Sequence, residues 1–227
     1  MYDLYIANKN YSSWSLRPWA LMRELDIPFQ EHLLPFGQPA PWAEFRKISA
    51  SGKVPSLLDG GTVVWDSLAI VEYLGERHAG VWPEDAGTRA WARSACAEMH
   101  SGFQELRQRC SMNCGVRVRL HEVPRSLAHD IARLGTLWNA GLERFGGPYL
   151  AGRHFTAVDA FFSPVAFRIQ TYNLILDTAS AAYAHRLLES RALQAWYGAA
   201  LEEKLRDPPH EIQIQQLGTV LQDLRQH

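Results

Sequence analysis

The chain has 227 residues, 47% of them hydrophobic and 21% charged, with a formal net charge of −1; this is an ordinary soluble composition with room for one large domain or two small ones. The near-zero charge gives no electrostatic case for nucleic acid or an anionic membrane as partner, and no apolar run approaches the roughly 18 residues of a membrane span. Met1-Tyr2-Asp3-Leu4 lacks the charged-then-apolar layout of a signal peptide, which places the expected location in the cytoplasm.

Residues 2–6 read as a first strand. Asn8 to Tyr11 is turn-like, and Ser12-Ser13-Trp14-Ser15 carries the hydroxyls expected just ahead of a helix. Pro18 fits that helix's first turn, where a missing N–H costs little. Trp19, Leu21, Met22 and Leu25 continue it to about Asp26, and Pro28 opposes extension. Phe29 to Leu34 is a second strand. Residues 35–52 hold three prolines and two glycines, with Pro41 to Phe45 as a short helical turn. Two strands follow, the second at Thr62 to Trp65, then a helix from Ser67 to about His78. The order β-α-β, then β-β-α, predicts one mixed sheet covered by helices over residues 1–79, a thioredoxin-like layout. Ala79-Gly80-Val81-Trp82-Pro83-Glu84-Asp85 breaks the pattern, and residues 80–86 read as a linker.

Residues 87–227 read as an all-helical bundle without strands. Met99, Phe103, Leu106 and Cys110 recur as one face of a single long helix; Leu127, Ile131, Leu134 and Trp138 mark a second, opened by Pro124 and stopped by Gly146-Gly147-Pro148. Thr156-Ala157-Val158-Asp159 is a capping box, a structural motif. Residues 192–206 give a further amphipathic helix, and Glu211 to Leu224 another after Asp207-Pro208-Pro209. The three cysteines, Cys96, Cys110 and Cys114, are too few for a disulfide scaffold. Cys110-Ser-Met-Asn-Cys114 with His100 and His121 fits no standard zinc spacing, so no metal is expected.

The densest chemistry lies in Gly52-Lys53-Val54-Pro55-Ser56-Leu57 and Asp66-Ser67. A proline behind a β-branched residue at the mouth of a strand donates nothing to a ladder. Its usual reason to be there is a backbone turned outward, often through a cis bond. A helix that starts with Asp-Ser offers N–H groups and a hydroxyl to a carboxylate. The two features together describe a grip on a small peptide, by its backbone and by its carboxylate.

Val-Pro-Ser-Leu, a Gly-Gly turn and Asp-Ser-Leu-Ala-Ile-Val-Glu-Tyr-Leu, at the spacing found in Gly52 to Leu74, resemble the glutathione-binding half of the cytosolic glutathione transferases almost residue for residue. Ser12-Ser13-Trp14-Ser15-Leu16-Arg17 is similar to the Ser-Ser-Cys-x-x-Arg segment of the zeta class, with Trp14 where that class has cysteine. The resemblance implies a thioredoxin-like domain followed by a helical bundle, a homodimer, and glutathione as co-substrate for a small electrophile in detoxification. It puts Ser12 at the thiolate donor's position and Ser13 beside it. A free thiol titrates near ~8.5, so a hydroxyl aimed at the sulfur near a helix N-terminus raises the thiolate fraction. Val54 would offer its backbone N–H and C=O, presented by Pro55. Ser67 suits the γ-glutamyl carboxylate and Asp66 its amino group; Lys53 or a residue near Trp42 reaches the glycyl carboxylate. Lys53 departs from the zeta pattern, which has glutamine. Ser15 reads as a helix cap, Tyr11 as a further donor, Tyr5 as core, and Arg17 either as a contributor to the local field or, the preferred reading, as the partner of an acid. With no cysteine at position 12, disulfide reductase chemistry is disfavoured. For the electrophile, Met99, Phe103, Arg107, Met112 and Asn113 are candidates, though Met and Phe at helical spacing are more often core. A zeta-type cis–trans isomerase is a second reading, weakened because Thr171 stands where that class has arginine. A non-catalytic binding or interaction protein with the same fold, whether it binds glutathione or another partner, is a third.

Overall fold

The computed structural model describes residues 1–37, 46, 49 and 51–226. The expected turn at Pro41 to Phe45, and Trp42 with it, lie outside the described residues.

The chain begins with β1 (Tyr2–Ile6), α1 (Ser13–Glu24), β2 (Phe29–Leu33), β3 (Ser56–Asp59), β4 (Thr62–Trp65) and α2 (Ser67–Gly75). The strands form one sheet in the order β2-β1-β3-β4; β1 and β2 run parallel, and β1–β3 and β3–β4 antiparallel. A parallel pair needs a crossover, and α1 supplies it. Leu4 and Ile6 of β1, Leu57 of β3, and Ile70, Val71 and Leu74 of α2 are completely buried, so sheet and helices share one core. Pro18 is not in the first turn of α1. The helix starts at Ser13, so the hydroxyl run lies mostly inside it and Pro18 falls in its second turn.

The helical part follows: α3 (Ala86–Ser101), α4 (Gln104–Arg109), α5 (Arg125–Phe145), α6 (Ala157–Tyr172), α7 (Thr178–Leu188), α8 (Arg191–Glu202) and α9 (Pro208–Leu217). α1 packs against α6 and α8, which ties the sheet layer to the bundle. The capping box closes in both directions at the start of α6. No helix among the described residues is long and apolar enough to cross a membrane.

Two expectations give way here. The long helix through Met99, Phe103, Leu106 and Cys110 is two, because Phe103 adopts a left-handed backbone (φ 53) between α3 and α4. A side chain at Gly102 would lie 2.8 Å from the Glu98 carbonyl, so the chain turns where the helix repeat alone predicts continuation. The bundle also contains strands. β5 (Val116–Leu120) pairs antiparallel with β6 (Gly218–Asp223), and the latter replaces the second half of the helix expected over Glu211 to Leu224. A Cβ at Gly218 would meet the Arg119 carbonyl at 2.6 Å, so this strand pair needs glycine there.

Candidate functional site

A cleft of about 650 Å³ opens between the start of α1 and the bundle. Its walls include Ser12, Ser13, Trp14, Lys53 and Val54 on one side, and Arg107, Met112, Arg168 and His210 on the other. An adjoining cavity of about 500 Å³ shares Trp14, Lys53, Val54 and Arg107, and adds Pro55, Trp65, Asp66 and Ser67. All seven residues singled out from the sequence, Ser12, Ser13, Lys53, Val54, Pro55, Asp66 and Ser67, therefore line one continuous depression.

Two turns position them. The Val54–Pro55 bond is cis, and the Val54 N–H and C=O have no hydrogen-bond partner among the described residues. That is the open backbone pair an extended peptide can use. Asp66 has φ 76, caps α2 by accepting the Leu68 N–H at 2.8 Å, and lies 3.4 Å from His100 Nε2. A non-glycine residue held at positive φ marks a conformation that its surroundings impose. Ser67, fully buried, accepts from Arg17 Nη1 at 3.4 Å.

The serines differ from one another. Ser12 holds the N-cap position of α1, but its side chain does not cap; its Oγ donates to Ser15 Oγ at 2.7 Å. Ser15 Oγ also accepts the Ala7 N–H at 3.3 Å, so Ser15 is a link between α1 and the end of β1 and not a cap. Ser13 is half-buried, and its hydroxyl has no partner among the described residues. Tyr11 is not a free donor: its OH donates to Glu211 Oε1 at 2.5 Å and accepts from Arg225 Nη1 at 3.2 Å. Burial, then the bond to Glu211, drives the Tyr11 phenol far up. Tyr5 is half-buried and stacks on His32.

Arg17 has no acidic partner at ion-pair distance among the described residues, contrary to expectation. It lies over the Trp14 ring at 4.2 Å and over Phe161 at 4.5 Å, with its buried Nε unpartnered. Arg107 covers Trp14 as well, at 4.6 Å. Burial, reinforced by the like charges of Arg168 and Arg107, lowers the Arg17 guanidinium to about 9, so it stays charged at neutral pH. Burial likewise lowers Arg168 to about 10 and pulls Arg107 down. Three cations with few anions nearby make the floor electropositive and leave unused donors for a ligand's carboxylates.

The electrophile candidates sort by whether they line the cleft, not by burial, since Met112 is as deeply buried as the core. Arg107 and Met112 line the cleft. Met99 and Phe103 belong to the core, and Asn113 is buried with its amide on Glu211 at 3.3 Å. Gln104, Gln108, Ser111, Arg168, His210 and Gln213 line the cleft and were not singled out from sequence. They come from α4 and the stretch after it, from α6 and from α9, which only folding brings to the start of α1, so no local spacing signals them. Thr171 is turned away, donating to the Asn113 carbonyl at 2.7 Å, but Arg168 on the same helix faces the cleft. The three cysteines are free and buried, and burial raises each thiol, Cys110 to about 12.

A thioredoxin-like sheet with a cis-proline turn and a serine-rich helix start beside it packs here on a helical bundle. Residues 11–77 match the family model described as glutathione S-transferase, N-terminal domain. The chain is 27% identical over 181 residues to a probable maleylacetoacetate isomerase of Caenorhabditis elegans, covering 77% of this chain and 81% of that one. It is 31% identical over 128 residues to a zeta-class glutathione S-transferase of Euphorbia esula, 53% of this chain and 55% of the relative. A Burkholderia glutathione transferase homologue, solved with bound glutathione, superposes with a TM-score of 0.64 at 19% identity, over 88% of this chain and 97% of the other. The chain is thus similar to glutathione S-transferases, through the N-terminal family model over residues 11–77 and through its fold, with a zeta-like N-terminal motif.

Proposed function

We propose that this protein is a cytoplasmic, homodimeric glutathione S-transferase, with residues 1–79 holding glutathione, 80–86 linking and 87–227 supplying the electrophile's wall. The observation that carries the reading is the meeting, in one cleft, of the unpaired Val54 backbone with Ser12 and Ser13 at the start of α1. The cysteinyl unit of glutathione pairs with Val54, presented by Pro55, which delivers its sulfur toward the serines. The γ-glutamyl carboxylate takes the start of α2 at Ser67, and its ammonium takes Asp66. Lys53 and Arg107 suit the glycyl carboxylate. Ser12 donates to the sulfur, with Ser13 beside it, and so favours the thiolate over the thiol. The thiolate then forms a bond to the electrophile's carbon as a leaving group such as chloride departs with its electron pair, or as the π pair of a conjugated double bond moves toward the carbonyl.

A glutathione-dependent cis–trans isomerase is the second reading. Arg168, which faces the cleft one turn from Thr171, supplies a cation for an acidic substrate, and a relative carries the isomerase name.

Calorimetric titration and thermal unfolding with glutathione test the proposal together. A ligand that binds only the native state stabilises by about 2.7 kcal/mol at a hundred times its dissociation constant. Binding heat, a raised melting temperature and conjugation of an activated aryl chloride are expected. No binding at millimolar glutathione assigns the chain to the non-catalytic reading.

A further inference from the structure

Helix α9 brings to the cleft a histidine, backed by a buried aspartate, that the proposed glutathione contacts do not use. Asp207, 5% exposed, stands at the N-cap of α9 and accepts the His210 backbone N–H at 3.4 Å. The same Oδ2 is hydrogen-bonded to His210 Nδ1. Capping the helix requires only the first bond; the second fixes the ring. A carboxylate accepts, so Nδ1 carries the hydrogen, and Nε2 is the nitrogen left over. It has no partner among the described residues.

The imidazole is held by its faces too. It lies near-parallel to the Tyr11 ring, centroids 5.0 Å apart, and to Phe36 at 5.4 Å. Tyr11 is itself tied to Glu211 and Arg225, and it directly precedes Ser12. His210 lines the same cleft as Ser12, Ser13, Arg107 and Arg168, on the bundle side and across from Lys53 and Val54. A carboxylate behind one nitrogen and an open cleft before the other is the arrangement of an oriented acid–base histidine.

We propose that His210 is a further catalytic residue: the proton donor to the electrophile when glutathione adds across a double bond conjugated to a carbonyl, with Asp207 as its positioning residue. The inference rests on the transferase reading. In such an addition the sulfur forms a bond to the β-carbon, and the π pair moves to the α-carbon and carbonyl oxygen as an enolate. The step uses the imidazolium, which carries a hydrogen on both nitrogens: the enolate takes the Nε2 proton, leaving the Nδ1–H tautomer that Asp207 holds, and solvent water returns a proton to Nε2. The thiol proton leaves to solvent when the thiolate forms, so protons balance. Substitution at an activated aryl chloride differs: the electron pair leaves with chloride and no proton is needed. The substrate class implied is therefore α,β-unsaturated aldehydes and ketones.

The test compares two electrophiles, an α,β-unsaturated aldehyde and an activated aryl chloride, in the full-length protein and in His210→Ala and His210→Asn. General acid catalysis contributes about a hundredfold or more, so the ratio of addition to substitution turnover should fall by about that factor in both variants. Added imidazole should restore part of the addition rate in His210→Ala and none of the substitution rate. Asp207→Asn, which keeps a capping side chain, should shift the ratio in the same direction by less. An unchanged ratio, or no imidazole rescue, overturns the proposal while leaving the transferase reading in place. Turnover of neither electrophile by the unaltered protein, despite glutathione binding, overturns both.

Discussion

A serine hydroxyl has one proton to give, and Ser12 gives it to Ser15 Oγ. To meet a thiolate the bond must reverse: Ser15 donates to Ser12, Ser12 donates to sulfur, and the Ala7 N–H still holds Ser15. Hydrogen bonds in such a chain polarise one another. Ser12→Ala should lower conjugation per folded molecule by about tenfold to a thousandfold, the range for losing an anion donor, with a much smaller change in glutathione affinity. Ser15→Ala should lower it in the same direction by less, and Ser13→Ala by less again. Initial rates at saturating glutathione check the order; if Ser13→Ala does the most damage, the donor is one residue along. The hydroxyl run at a helix start was legible in the sequence. Which hydroxyl is engaged was not, because it depends on Ala7 at the end of β1. Arg17 is a similar case. Its likeness to the zeta motif gave the position, while its lack of an acidic partner follows from Trp14, Phe161 and Ser67 converging on it from three elements.

At the scale of an element, the start of α6 carries more than a capping box. The Asp159 carboxylate accepts the Thr156 N–H at 2.9 Å, as the sequence predicts, and also the Leu150 N–H at 3.1 Å and the Tyr183 OH at 2.9 Å. Asp159→Ala leaves these buried donors unmatched, so the cost should exceed the roughly 0.5–2 kcal/mol of a lost cap and reach about 3 kcal/mol or more. Turnover per folded molecule should hold, since the carboxylate lies outside the cleft; urea denaturation and rates on one sample check both. Burial pushes the Asp159 carboxyl up to about 6 against the pull of those donors. A native pKa above the unfolded value contributes stability that is full below about 3.9 and lost as pH rises through about 6. The gap between the protein and Asp159→Asn should therefore move in favour of the protein on acidification from pH 7 to 4, by on the order of 3 kcal/mol. Other elements show where local pattern reading stops. Val116, Val118 and Leu120 alternate with arginines, a period-2 signal present in the sequence. The partner strand is a hundred residues away, and an isolated five-residue run carries little weight without it.

Across the whole molecule, the C-terminal chain holds the loop that leads into the serines. Glu203 accepts the Lys9 N–H at 2.7 Å and the Asn10 N–H at 3.1 Å. Arg225, beyond β6, bridges Glu211 of α9, Asp223 and the Tyr11 hydroxyl. At Glu211 burial is the largest single influence and raises the carboxyl, but the hydrogen bonds from Arg225 and Tyr11 and the Arg225 charge together outweigh it; at Asp223 the Arg225 hydrogen bond dominates, and both carboxyls lie below their ordinary values. Arg225→Leu removes a nearly buried cation and strands two carboxylates. Breaking a fully buried pair costs about 3–5 kcal/mol. The Glu211 and Asp223 side chains are 25% and 33% exposed, so water takes up part of the charge and about 2 kcal/mol is expected. The pH sign is opposite to that of Asp159. Depressed native values contribute stability present above the unfolded pKa, near 4, and lost as pH falls through the native ones. The gap between the protein and Arg225→Leu should thus be widest near neutrality and close below about pH 4. Tyr11 supports both Ser12 and the His210 ring, so the loosened loop should also lower turnover with both kinds of electrophile. That loss would be unselective, unlike the one expected for His210→Ala. Denaturation midpoints at pH 7 and pH 3.5, with rates for both electrophiles, check the account; a gap that persists in acid would show that Arg225 acts through packing and not through its charge.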